Sequence, residues 1–476
     1  MSAGPPALRH SYAEAVPGLS LRWQAAPAPA PRLVALNEGL AAELGLDPAW
    51  LASPEGVAFL AGEGTGEGGR PAYAQAYAGH QFGGYSPLLG DGRALLLGEL
   101  EAPDGRTVDL HLKGSGRTPF ARGGDGRAAL GPMLRELAIG GFLHAAGVPT
   151  TRALAVLETG ERIPRDGELE PGAILVRAAA SHLRVGTVQL AAAQGDLAQL
   201  RALADVAIRR HHPGAAGAER PALALLEAVA AAQARLVARW MLLGFVHGVM
   251  NTDNMALSGE SIDFGPCAFL ERYDPRAVFS SIDRGGRYAY GNQPAAALWN
   301  LARLGEALIP IIDEDEDRAV ELATEAVMGF EPAYLEAFGE GLAAKLGLAE
   351  RDDELGEEVL RLLAAERLDW TTFFRELAAG DPEPRIVDVP RWRAIRARLG
   401  EPDARGREAM RLANPPIVPR NAPLDAALRA ASAGDAAPFA ALLEAVADPW
   451  APSSARPELL EASPADAPPF RTFCGT

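Results

Sequence analysis

Strand-type alternation fills one stretch of this chain and helical periodicity the next, and that change of period limits what it can fold into. Residues 94–100 are apolar, Pro103-Asp104-Gly105 is a turn, and 107–113 alternates with Val108, Leu110 and Leu112 on one side. That is a hairpin. A long helix is predicted over 127–146, then strands over 153–158 and 173–177. Helical periods dominate afterwards, over 188–210, 221–243, 295–307, 317–346 and 354–365. Upstream, a helical pattern over 33–46 follows the Pro/Ala-rich stretch 25–31, and the Gly/Glu-rich 62–69 reads as a loop. Beyond Asp448 the chain is rich in Pro, Ala and Ser and is predicted to be an extended, mobile tail with no core of its own. No internal repeat is visible.

Within the helical part lie His247-Gly248-Val249-Met250-Asn251-Thr252-Asp253-Asn254 and, shortly after, Asp263-Phe264-Gly265. A protein kinase carries a His-x-Asp segment, an Asn five residues after that Asp, and then a DFG; the Asn and the DFG Asp hold metal on the nucleotide phosphates. Here Asn254 and Asp263 are in register, but Val249 stands where a kinase has its catalytic Asp. Valine cannot accept a proton. The chain is therefore suited to holding a metal–nucleotide complex without the usual base for phosphorylating a hydroxyl. Strands first, helices later, with these motifs, predict an α/β (α+β) protein-kinase-like bilobal fold. Its strand-rich N-lobe is placed over 76–187 and its helical C-lobe over 188–422, with an extension over 1–75 and a C-terminal helix and tail over 423–476.

Lys113 closes the alternating strand, and Glu136 sits in the next helix between Leu134 and Leu137. A charge flanked by apolar residues on a packed helix needs a partner, so an ion pair is predicted between the two. Glycines cluster at 79–84, 90–92, 114–116 and 123–126, where backbone N–H groups can approach phosphates. Arg177 and Arg184, at and beyond the end of a predicted strand, suit bidentate phosphate contact. Asp253 is the carboxylate nearest to the vacated base position, and His247 is assigned a structural role, bonding backbone. The acidic run 313–317 reads as a solvated helix start.

Composition narrows the class. With 62 acidic against 45 basic side chains, a net of −17, the chain is not suited to nucleic acid or anionic membranes. No apolar run reaches the roughly 20 residues of a membrane span, and no export signal is evident. Two cysteines, Cys267 and Cys474, exclude a disulfide framework and fit a cytoplasmic protein.

The motifs Tyr77-Ala78-Gly79-His80-Gln81-Phe82-Gly83, Leu89-Gly90-Asp91-Gly92-Arg93, Leu112-Lys113-Gly114-Ser115-Gly116 and the two segments around Asp253 and Asp263 occur together with Asn414-Pro415-Pro416-Ile417-Val418-Pro419-Arg420-Asn421. In these the chain resembles the selenoprotein O family of protein adenylyltransferases. That resemblance implies a kinase-like fold with the nucleotide reversed, and transfer of AMP from ATP to Ser, Thr or Tyr hydroxyls of proteins with release of pyrophosphate. Some members use UTP with manganese. It further implies ATP binding by Gly90, Gly92, Arg93, Lys113, Asp125, Gly126, Arg177, Arg184 and Asp263. Asp253 would be the proton acceptor, and Asn254 and Asp263 ligands of Mg2+ or Mn2+. The partners expected are ATP and protein substrates, with the protein itself a monomer. Eukaryotic members carry a selenocysteine near the C-terminus; by count alone Cys267 and Cys474 read as two unrelated thiols, and the resemblance adds a second reading in which they form a reversible latch. Two other readings remain at this point: an inactive nucleotide-binding scaffold and a small-molecule phosphotransferase.

Overall fold

The computed structural model describes residues 4–165, 167–451, 456–464 and 466–473. Among these, the strands are β1 (Ser20–Arg22), β2 (Arg32–Leu36), β3 (Tyr73–Gln75), β4 (Gly79–Gln81), β5 (Gly84–Ser86), β6 (Ala94–Glu101), β7 (Thr107–Lys113), β8 (Ala128–Ala129), β9 (Arg152–Arg165), β10 (Glu168–Ala179), β11 (Phe245–Val246) and β12 (Ala268–Phe269). The longer helices are α1 (Leu130–Ala145), α2 (Val185–Ala193), α3 (Leu197–His211), α4 (Pro221–Leu243), α5 (Gln293–Ile312), α6 (Glu316–Met328) and α7 (Phe330–Leu346). They continue with α8 (Asp353–Glu366), α9 (Trp370–Ala379), α10 (Val389–Leu399), α11 (Ala404–Ala413), α12 (Asn421–Ser432) and α13 (Ala437–Ala447).

An antiparallel sheet runs in the order β1-β3-β6-β7-β10-β9-β2, with β8 also pairing β10. The central β6 is apolar because it is buried on both faces. On β7 the alternation sends Asp109, His111 and Lys113 to the face opposite Leu110 and Leu112. Cross-strand pairing sets Lys113 opposite Leu175 and His111 opposite Arg177, so Lys113 and Arg177 are diagonal neighbours. Helix α1 packs against β9 and β10. The second half is helical, with α4 packed against α5, α6 and α7. A mixed α/β protein with an antiparallel sheet ahead of a helical region is therefore what folds.

Several expected elements change. The pattern over 33–46 forms β2 and then a short helix over Glu38–Glu43, because Asn37 stops the strand and caps the helix, accepting from Leu40 N at 3.0 Å. The helix expected over 188–210 is split into α2 and α3 by Gly195 (φ +73°) and the cap Asp196. Gly329 likewise divides 317–346 into α6 and α7. Asp315 caps α6, as the acidic run implied. Two stretches, Pro221–Leu243 and Tyr290–Ile312, do reach membrane-spanning length and apolarity, against expectation. More than half of each is buried within the helical region. The tail beyond Asp448 docks as well: Leu459 is buried, and Thr472 is held between Phe279 O and Ser281 N, both at 2.9 Å.

The segment 414–421 is a buried crosspiece. Lys345 on α7 donates to Asn414 Oδ1 at 2.7 Å, and Arg420 pairs with Asp369 at 2.9 Å. Asn421 completes β12 from the side, accepting from Phe269 N at 3.0 Å and donating to Phe269 O at 2.8 Å. Asn421→Ala would leave both groups unpaired in the interior. We expect a loss of roughly 2–4 kcal/mol, two unsatisfied groups' worth, read as a lower urea midpoint at unchanged slope.

Candidate active site

Sheet, α1 and the loops around β11 and β12 enclose a cleft of about 460 Å³. Its lining includes Gly90, Gly92, Arg93, Lys113, Asp125, Gly126, Glu136, Arg177, Arg184, Asp253, Asn254 and Asp263, so nearly every residue singled out in the sequence faces one space.

At its floor five charges interlock. Lys113 Nζ, at the end of β7, contacts Glu136 Oε1 on α1 and lies 2.8 Å from Asp263 Oδ1. Arg177 on β10 reaches Glu136 Oε2 and Asp263 Oδ1, both at 2.6 Å. Arg184, at the N-terminus of α2, reaches Asp263 Oδ2 at 3.3 Å and Asp253 O at 2.7 Å, with its guanidinium 4.7 Å from the Tyr77 ring centre. The predicted Lys113–Glu136 pair is present, but as part of a network. Burial alone would raise both carboxyls. The Arg177 and Lys113 cations override it, holding Glu136 below its ordinary value and Asp263 well below. Asp263 sits at φ +65°, a backbone conformation that Asp tolerates better than most residues.

The Asp253 carboxyl differs. Burial is the main influence on it and raises its pKa, opposed by a hydrogen bond from Gln81 Nε2 at 3.0 Å to Oδ2. Its Oδ1 is buried without a hydrogen-bond partner among the described residues. Gly79 makes room for it, since a Cβ there would lie 2.7 Å from Asp253 Oδ1. Asn254 Nδ2 donates to Val249 O at 3.0 Å, which turns the nitrogen end of the amide toward the loop backbone. His247 bridges backbone as expected, with Nε2 on Ile262 O at 2.8 Å and Nδ1 facing Val249 N at 3.4 Å. Among the described residues no group of three or more His, Cys, Asp or Glu side chains is placed to hold a metal. The hard oxygens of Asp253, Asn254 and Asp263 are nonetheless the donor type that Mg2+ or Mn2+ takes.

Asp125 lines the cleft, while its carboxylate is braced by Arg165 at 2.7 and 3.0 Å. Gly126 next to it (φ +74°) has no room for a side chain, as a Cβ would meet Arg117 N at 2.1 Å. Cys267 is fully buried behind the cleft. Its thiol faces Phe264 O at 3.1 Å, and burial pushes it up to about 11, which is not the exposed, low-pKa setting of a reactive thiol. Cys474, the other half of the latch in that second reading, lies outside the described residues, although Thr472 Oγ1 reaches Pro266 O at 2.7 Å.

Tyr77, Gln81, Asp91 and His111 were not singled out from the sequence as site residues. Gln81 belongs to the glycine cluster 79–84, which forms a hairpin against the Asp253 loop rather than a phosphate cradle. Asp91 Oδ2 pairs with His111 at 2.9 Å and accepts from Gln75 N at 3.1 Å, which pins the loop between Gly90 and Gly92. The alternation of β7 held a signal for His111, two residues before Lys113 on the same face.

Comparison with known proteins settles the family. A family model described as protein adenylyltransferase SelO matches residues 10–389. The chain belongs to the SelO family. Relatives named protein nucleotidyltransferase YdiU match end to end. That of Mycolicibacterium smegmatis is 53% identical over 480 residues, covering 98% of each chain. That of Cereibacter sphaeroides is 54% identical over 484 residues, covering 98% of this chain and 99% of the relative. This SelO-family chain is accordingly an enzyme of the nucleotidyltransferase class.

The network makes a prediction about stability. Because both carboxyls are depressed, their contribution is present above the ordinary values of 4.5 for Glu136 and 3.8 for Asp263 and is lost as pH falls through their folded values. Glu136→Gln should flatten that acid limb. It should also cost about 3–5 kcal/mol near neutrality, since Arg177 and Lys113 then lose a buried counter-charge. Urea titrations from pH 3 to 8 measure both.

Proposed function

We propose that the enzyme transfers AMP from ATP to Ser, Thr or Tyr hydroxyls of protein substrates and releases pyrophosphate. The nucleotide would lie reversed relative to its pose in a kinase, within a kinase-like pair of lobes. The observation that carries this reading is the pairing of an apolar Val249 at the kinase base position with a buried, half-unpartnered carboxylate at Asp253. A base set aside from the usual place fits a reacting phosphorus set aside from the usual place.

In this reading Asp253 accepts the hydroxyl proton as oxygen attacks the α-phosphorus. The raised pKa of its carboxyl suits that task. Lys113, Arg177 and Arg184, which neutralise Asp263, would exchange that carboxylate for phosphate oxygens and stabilise the charge that accumulates on the leaving pyrophosphate. Gly90, Gly92 and Gly126 keep the cleft wall thin where phosphates approach, with Arg93 and Asp125 on the same wall. Asn254 and Asp263 would hold Mg2+ or Mn2+, which supplies charge neutralisation to the phosphates. UTP with manganese is an alternative donor under the same scheme. ATP labelled at the α- or the γ-phosphate separates the possibilities. Label from the α position alone on protein supports AMP transfer, label from γ indicates phosphorylation, and label from neither indicates a scaffold.

Asp263→Ala should lower transfer by about a thousandfold or more in a folded protein. Asp253→Ala should reduce kcat by about 10²–10⁴-fold while ATP affinity changes little. If the loss at Asp253 appears wholly as weaker ATP binding, the residue is a ligand and not the base.

A further inference from the structure

The hairpin of β4 and β5 is mounted on the Asp253 loop and exposes an apolar tip. His80 N donates to Thr252 Oγ1 at 2.7 Å, Gln81 Nε2 to Asp253 Oδ2 at 3.0 Å, and Phe82 N to Asn251 Oδ1 at 3.0 Å. Gln81 pairs with Gly84, so the loop is the two residues Phe82-Gly83, with φ +52° and +87°. Two positive φ values make this the turn that prefers Asn-Gly, and a bulky aromatic in its first position is strained. Nothing in the turn calls for phenylalanine. The ring instead is 37% exposed at the cleft mouth, 5.3 Å from the Tyr288 ring, and Ile282, 51% exposed, lines the same mouth. Tyr85 and Leu88 continue the exposed apolar surface along the hairpin and just past it.

Beneath the tip lies Arg287. Its guanidinium carbon is 4.6 Å from the Trp299 ring and 5.8 Å from the Tyr288 ring. A Cβ at Gly83 would lie 3.5 Å from its Nη1 and 3.6 Å from its guanidinium carbon. Among the described residues Arg287 forms no ion pair, and its Nε is buried without a partner. An aromatic anchor beside a stacked, unneutralised arginine is the composition of a binding hot spot for an apolar residue next to an acidic one.

We propose that the hairpin tip with Ile282 and Arg287 is the docking surface for the acceptor protein. It takes an extended segment whose apolar side chain covers Phe82 and whose acidic side chain neutralises Arg287, and so brings a neighbouring hydroxyl to Asp253. The proposal rests on Asp253 being the base for a protein hydroxyl. Because the hairpin that carries the tip is hydrogen-bonded at three points to the loop that carries Asp253, docking and proton acceptance are held in a fixed relation.

The test uses the full chain with ATP labelled at either phosphate. The acceptors are undecapeptides with Ser, Thr or Tyr at the centre, Leu nearby, and either Glu or Lys at the remaining flanks. Wild type should label the Leu/Glu set at least about tenfold better than the Leu/Lys set, and Arg287→Glu should reverse that order. Phe82→Asn, which installs the favoured Asn-Gly turn, should raise the peptide KM about tenfold. It should leave the ATP KM unchanged and Tm no lower, a combination that a structural role for the ring would not give. Equal labelling of the two sets, no reversal, no labelling of any peptide by protein that still labels itself, or an unaltered peptide KM overturns the docking surface. Label arriving from the γ-phosphate with these preferences intact would overturn AMP transfer and leave the docking surface standing.

Discussion

Everything in the cleft depends on a buried cluster in which three cations converge on two carboxylates. Lys113 and Arg177 come from adjacent strands, Glu136 from α1, Arg184 from the start of α2, and Asp263 from the loop before β12. Five segments are thereby tied at one point. The attraction must outweigh desolvation of groups that are almost wholly covered, and the pairing is incomplete, since Arg177 Nε and Arg184 Nε are buried without a partner among the described residues. The cluster carries one more positive than negative charge. A phosphate chain is therefore the natural completion, since it adds negative charge where the protein has left an excess of cations.

Asp253 stands apart from that cluster although it lies in the same cleft. Asp263 is surrounded by positive charge that holds its carboxyl well below the ordinary value, whereas at Asp253 dehydration outweighs the Gln81 amide and the Arg184 cation. Two carboxylates in one cleft thus have their proton affinities pushed in opposite directions by their surroundings.

Much of this was legible in the sequence, for identifiable reasons. The strands of the hairpin, α1 and α4 appeared because their periodicity is strong and their ends carry turn residues or Pro. Lys113, Glu136, Asn254 and Asp263 appeared because spacing along a strand, a helix and a loop is a local property. What escaped was set by contacts between distant segments. Residues 33–36 have no intrinsic strand signal that outweighs the following helix, and they extend because β9 offers an edge to pair with. Gln81 looked like filler between glycines because its partner, Asp253, is 172 positions away. Asn421 gave no chemical signal for the same reason, since its worth lies in mimicking a strand partner for Phe269 across 152 positions.

The helices α12 and α13 pack on α1, the helix that carries Glu136. All the charged residues of the cleft are encoded before Gly265, yet α1 gains its outer neighbours only after residue 447 has been made. During synthesis the chain therefore passes through a stage in which every charged residue lining the cleft has been made but the helix behind it is uncovered. Contacts this far apart in sequence form late. The helix that carries Glu136 therefore keeps an uncovered outer face until α12 and α13 have been made.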